Sequence, residues 1–119
     1  MKVLCETSVR HIHLDEDGLT ALFGKGAKLT PDRPLSQPKQ FLCKERVTLV
    51  GPKNSYENVG IIGPARDVMQ AEISRTDSFY LGIKNVPMRL SRDVDGAPVI
   101  TVKNGDKKID IPVIVAMRH

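Results

Sequence analysis

Apolar and polar positions alternate in short runs along most of this chain, a pattern that predicts strands rather than long helices. In "VLCETSVRHIHL", residues 3–14, Thr7, Val9, His11 and His13 fall on one face of an extended segment. The period then changes. In "DEDGLTALFG", residues 15–24, Leu19, Leu22 and Phe23 form an i, i+3, i+4 stripe, Asp15 or Asp17 can cap it, and Gly24 stops it. Residues 25–40 contain Pro31, Pro34 and Pro38 and read as a long irregular loop, the kind of segment that lines a binding site. "RVTLVGPKNSYENVGIIG" and "PVITVKNGDKKIDIPVIVA" each read as strand, turn, strand, and the second carries the Asn-Gly hairpin signal at Asn104 and Gly105. Between them, "TDSFYLG", residues 76–82, predicts a helix of one to two turns capped by Thr76. Six or so short strands and two short helices imply a mainly β protein, a small closed or nearly closed β-barrel.

Composition narrows this picture. A chain of 119 residues fits a single domain, here 1–119. Hydrophobic residues make up 40%, aromatic residues only 4%, and Trp is absent, so the core must be built from Val, Ile and Leu. No apolar run approaches the roughly 20 residues of a membrane-spanning helix, and "MKVLCETSV" is too short and polar for a leader. Cys5 and Cys43 lack CxxC spacing and read as reduced, buried thiols. These features imply a cytoplasmic protein. The net charge of +4 comes from scattered basic residues with few aromatics among them, which suits a small anionic ligand and argues against nucleic acid.

His11 and His13 are the candidate chemistry. On a strand, residues i and i+2 point to one side about 6.5–7 Å apart, so two imidazoles can converge on one ion. The dipeptide pattern by itself leaves two ordinary surface histidines as an open alternative. Cys5 shares their parity but lies about 20 Å away along an unbroken strand, too far to share an ion. Glu72, in "MQAEIS", can supply a carboxylate, because an unpaired one between Ala71 and Ile73 would be costly to bury. An edge strand with Glu72 facing solvent is the competing arrangement. "GPAR", residues 63–66, forms a turn that presents Arg66, whose planar fork suits phosphate.

Several stretches, in order, carry a resemblance over nearly the whole chain. They are "RHIHL" with "LTALFG", "LTPDRPLSQPKQF", "VTLVGPK", "ENVGIIGPAR", "QAEISRTDSFYLGIK" and "VDGAPVITV". In these the chain resembles the phosphate propanoyltransferases of the propanediol-utilisation type, a phosphotransacylase family of zinc-containing β-barrels. The resemblance implies transfer of a short acyl group such as propanoyl between coenzyme A and phosphate. It implies that His11, His13 and Glu72 bind one Zn2+, that Arg66 holds the attacking phosphate, and that Arg33 contacts coenzyme A. It adds the interior of a bacterial microcompartment as an alternative location.

The departures matter as much. Family members have two similar barrel halves, and the second has its own Arg-His-x-His. Here "VIVAMRH" carries only Arg118 and His119 of that motif, so His119 stands as a lone ligand of a second metal site. The expectation is a first half that needs a second barrel or self-association for full activity. Met69-Gln70-Ala71 stands where Thr-Gln-Val is usual, and Lys39 where Gly is usual. The rival readings are a non-catalytic zinc- or ligand-binding barrel half and a basic nucleic-acid-binding barrel. Phosphate-dependent thiol release from propanoyl-CoA separates the enzyme from the first, and salt-dependent oligonucleotide binding marks the second.

Overall fold

The structure, a computed structural model, describes residues 10–35, 39–89 and 93–116. Cys5, Thr7, Val9, Pro38, Arg118 and His119 lie outside these residues. The elements run β1 (His11–His13), α1 (Glu16–Phe23), β2 (Pro31–Pro34), β3 (Phe41–Val50), β4 (Ser55–Gly63), β5 (Gln70–Ile73), α2 (Arg75–Leu81), β6 (Met88–Arg89), β7 (Val99–Asn104) and β8 (Lys107–Ala116).

Six of these strands close a circuit, β3-β4-β1-β5-β8-β7 and back to β3. The expected barrel is therefore closed. Closure depends on two ten-residue strands that change neighbours along their length. β3 pairs β2 through Phe41–Cys43 and β7 through Thr48–Val50, with β4 on its other side throughout. β8 pairs β7 through 107–112, then β6 at Val115 and Ala116, while β5 lies along 113–115. Register shifts in β3, between Leu42 and Arg46 and between Val47 and Leu49, give the local bends that a small barrel requires.

Inside the barrel the core is aliphatic, as the composition requires: Ile12, Leu49, Ile61, Ala71, Val102, Ile111 and Val113 are all fully buried. α1 closes one end with Leu19 and Leu22. Its boundaries follow from local chemistry. Asp15 accepts the Gly18 amide at 2.7 Å, Glu16 and Asp17 occupy the positive first turn, and Gly24 ends the helix at φ 104. Asn104 donates its side-chain amide to the carbonyl of Leu22 at 2.7 Å, satisfying an end-of-helix acceptor from the β7–β8 hairpin.

Three local expectations need correction. The stretch 25–40 is not loop throughout, because Pro31–Pro34 pairs with the start of β3. Two prolines are tolerated there because β2 lies at the edge of the sheet, where missing amide donors break no inner ladder. The cap of α2 is Ser74 rather than Thr76. Ser74 accepts the Asp77 amide at 3.0 Å while the Asp77 carboxylate accepts the Ser74 amide at 3.1 Å, a reciprocal capping box. In the β7–β8 hairpin, Asn104 already pairs with Lys107, so the two-residue turn is Gly105-Asp106, with Gly105 at φ 64.

Candidate functional site

β1 lies between β4, parallel to it, and β5, antiparallel to it. Both of its edges are occupied, and so all three of its residues are buried. Ile12 points into the core. His11 and His13 therefore share the opposite side of the strand, each with little exposed surface. The register with β5 places Glu72 directly across from His11 and Gln70 across from His13. β5 is itself an inner strand between β1 and β8, so Glu72 does not sit on an edge facing solvent. Its side chain is 11% exposed.

This register brings three of the sequence-derived candidates together. His11 Nε2 lies 3.4 Å from Glu72 Oε1, and His13 Nε2 lies 3.3 Å from Glu72 Oε2. One ligand atom from each of the three residues falls within 4.8 Å of the others. The two imidazoles meet edge to face with centroids 5.1 Å apart. Zinc bonds of about 2.0–2.1 Å arranged tetrahedrally put neighbouring donor atoms about 3.4 Å apart, which is the spacing of the nitrogen–oxygen pairs here. Two imidazoles and one carboxylate also leave a coordination position for water or substrate. The residues fit a zinc ion.

Protonation favours the same use. Burial pushes the His13 imidazole below its usual value, and the nearby His11 and Arg66 push the same way against a hydrogen bond to Glu72. Burial alone would raise the Glu72 carboxyl, but hydrogen bonds and charge interactions with His11 and His13 hold it well below the usual carboxylate range. A neutral imidazole and an ionised carboxylate are the forms that bind metal.

Arg66 joins the group from the segment after β4. Its backbone amide donates to the carbonyl of Leu14 at 2.8 Å, fastening the segment beside the end of β1. Its Nη1 lies 3.1 Å from His13 Nδ1 and 3.2 Å from His13 Nε2, so a guanidinium stands against an imidazole of the trio. Arg33 is not brought to the same place. It is exposed on β2, with β3 and β4 between its strand and β1 in the sheet order. Cys43 is a buried thiol pushed up to about 12 by burial, in keeping with an inert reading.

Two features escaped the sequence reading. Gln70 is completely buried and donates its side-chain amide to Glu72 Oε2. Its i, i+2 spacing from Glu72 was the available signal. Arg10, immediately before His11, pairs with the buried Asp77 at 2.9 Å and lies with its guanidinium carbon 3.7 Å from the Tyr56 ring centre. Nothing local in the sequence links residues 10, 56 and 77.

Fold and site together define a small β-barrel whose wall carries a two-histidine, one-carboxylate cluster flanked by an arginine. Residues 4–119 match the family model described as phosphate propanoyltransferase, and the chain belongs to that family of acyltransferases. Curated relatives bearing the same description include proteins of Leptotrichia buccalis, 48% identical over 98% of this chain and 56% of the relative, and Enterococcus faecalis, 47% identical over 96% and 54%. Another, from Thermotoga maritima, is 46% identical over 98% of this chain and 56% of its own length. The chain thus spans about half the length of the curated relatives it matches. Among the described residues no helix is long and apolar enough to cross a membrane.

Proposed function

We propose that this chain forms the metal-binding first half of a phosphate acyltransferase, which converts a short acyl-CoA such as propanoyl-CoA and phosphate into acyl phosphate and coenzyme A. The observation that carries the proposal is the convergence of His11, His13 and Glu72 with Arg66 against His13. His11, His13 and Glu72 hold Zn2+, which when bound supplies a Lewis acid for the thioester carbonyl and the departing sulfur. Arg66 binds phosphate through its two-pronged face, offsets its charge and aims one oxygen at the carbonyl carbon. The new bond is phosphate oxygen to acyl carbon, the broken bond is acyl carbon to sulfur, and the thiolate leaves. No protein nucleophile is needed, and the buried Cys43 thiol does not serve as one. Arg33, exposed on β2, is free to meet a phosphate group of coenzyme A, and His119 contributes to a second metal site completed by residues of the other half.

Coverage of about half of each relative favours a refinement. The chain alone is a poor transacylase and acts with a second barrel half. The assay is thiol release from propanoyl-CoA on adding phosphate, for this chain alone and mixed with a separately expressed second half from a relative. The expected result is activity restored by the mixture. Full activity from the chain alone overturns the need for a second half, and no activity in the mixture leaves the non-catalytic zinc-binding barrel as the better reading. The setting proposed for the reaction is the cytoplasm or a bacterial microcompartment.

A further inference from the structure

We propose that Gln70 is a positioning residue that orients Glu72 in the metal centre, an inference that rests on the metal reading above. The antiparallel register of β1 and β5 lays out four side chains as a two-by-two patch on one side of the sheet. His11 stands opposite Glu72, and His13 stands opposite Gln70. Three corners carry metal-ligating groups and the fourth carries an amide.

Burial does not explain that amide. Gln70 has no exposed surface. An apolar side chain of similar size would fill the space without a polar group to satisfy. What the amide does is specific: its Nε2 donates to Glu72 Oε2, the oxygen that also faces His13. A carboxylate on a flexible side chain can swing both oxygens through the space between two imidazoles. With Oε2 held by the amide, the rotation of the carboxylate is set, and Oε1 remains turned toward His11. Partners of this kind tune metal affinity because they fix ligand direction before the ion arrives.

The test is zinc affinity of the whole chain, measured by competition with a chromophoric chelator. The variants are Gln70→Met, which keeps the length and removes the donor, Glu72→Gln, and the two combined. Gln70→Met is expected to weaken zinc binding about 10–100-fold. In the Glu72→Gln background the same change is expected to add little, because Gln70 acts through the carboxylate. An unchanged affinity in Gln70→Met overturns the proposal. So does an equal loss in both backgrounds, which marks a role in packing alone. If Gln70→Met does not fold, Gln70→Asn keeps the amide but withdraws it by one methylene and carries the same expectation. Failure of the metal reading is distinguishable, since the wild-type chain then binds no zinc.

Discussion

Two polar clusters, the first part-buried and the second buried, begin one residue apart, at Arg10 just before β1 and at His11 on it, and behave differently. Arg10 opens the first: its guanidinium pairs with Asp77, lies over Tyr56, and joins β1 to the capping box of α2. Charge there is matched inside the protein. Asp77 is held below its usual value by Arg10, Ser74 and Tyr56 against the opposing effect of burial. His11 and His13 open the second, where a neutral imidazole and an ionised carboxylate converge on one small volume. A closed ion pair serves the fold, whereas convergent electron-pair donors are ready for a cation. The lesson is that burial of polar groups does not identify a site; the kind of groups that converge does.

The comparison is most easily broken by exchanging the roles. Removing metal ligands with the His11→Ala, His13→Ala double variant should reduce bound zinc from about one per chain to background by elemental analysis, because one carboxylate cannot hold the ion. Asp77→Asn should leave the zinc content alone. Equal zinc in the wild type and the double histidine variant sinks the metal reading, and zinc loss in Asp77→Asn erases the distinction between the clusters.

Arg66 sharpens it next. In an active full-length relative, lysine at the position of Arg66 should raise the phosphate KM about tenfold or more, since a lost charge-assisted hydrogen bond is worth about 1.5–3 kcal/mol. The acyl-CoA KM should move much less. Unchanged phosphate kinetics remove Arg66 from the site.

A smaller effect concerns stability. Asp77→Asn should destabilise the chain by about 1–3 kcal/mol at neutral pH, toward the lower end because Arg10 is partly solvated. The carboxyl has a folded pKa below its unfolded one, so its contribution is present above about pH 4 and fades as the pH falls through the folded value. Denaturant titrations should therefore show the gap between wild type and variant closing in acid. A gap that stays constant with pH assigns the loss to packing instead.

Lys39 should give the smallest change. It adopts φ 66, a left-handed conformation that costs a side-chain-bearing residue about 1–2 kcal/mol, part of which glycine gives back through its larger chain entropy. Lys39→Gly should thus stabilise by no more than about 1 kcal/mol in the same titrations. A loss of stability shows that the lysine side chain makes a compensating contact.

What the sequence by itself determined was whatever depends on neighbours along the chain. The extent of α1 follows from Asp15, the Leu19, Leu22 and Phe23 stripe, and Gly24. The shared face of His11 and His13 follows from strand parity, and the aliphatic core from the near absence of aromatics. Local chemistry misleads where a second residue nearby can also cap, as with Ser74, which caps α2 in place of the expected Thr76. There the reciprocal bond to Asp77 decides. Glu72 was a plausible partner only by type and by family resemblance. Its place opposite His11 comes from the β1–β5 register, a pairing between residues some sixty positions apart. The same is true of Arg66 against His13, of Asp77 under Arg10, and of the β3–β7 contact that closes the barrel. Register between distant strands is set by burying the whole aliphatic core at once, a collective choice that no short stretch of residues records.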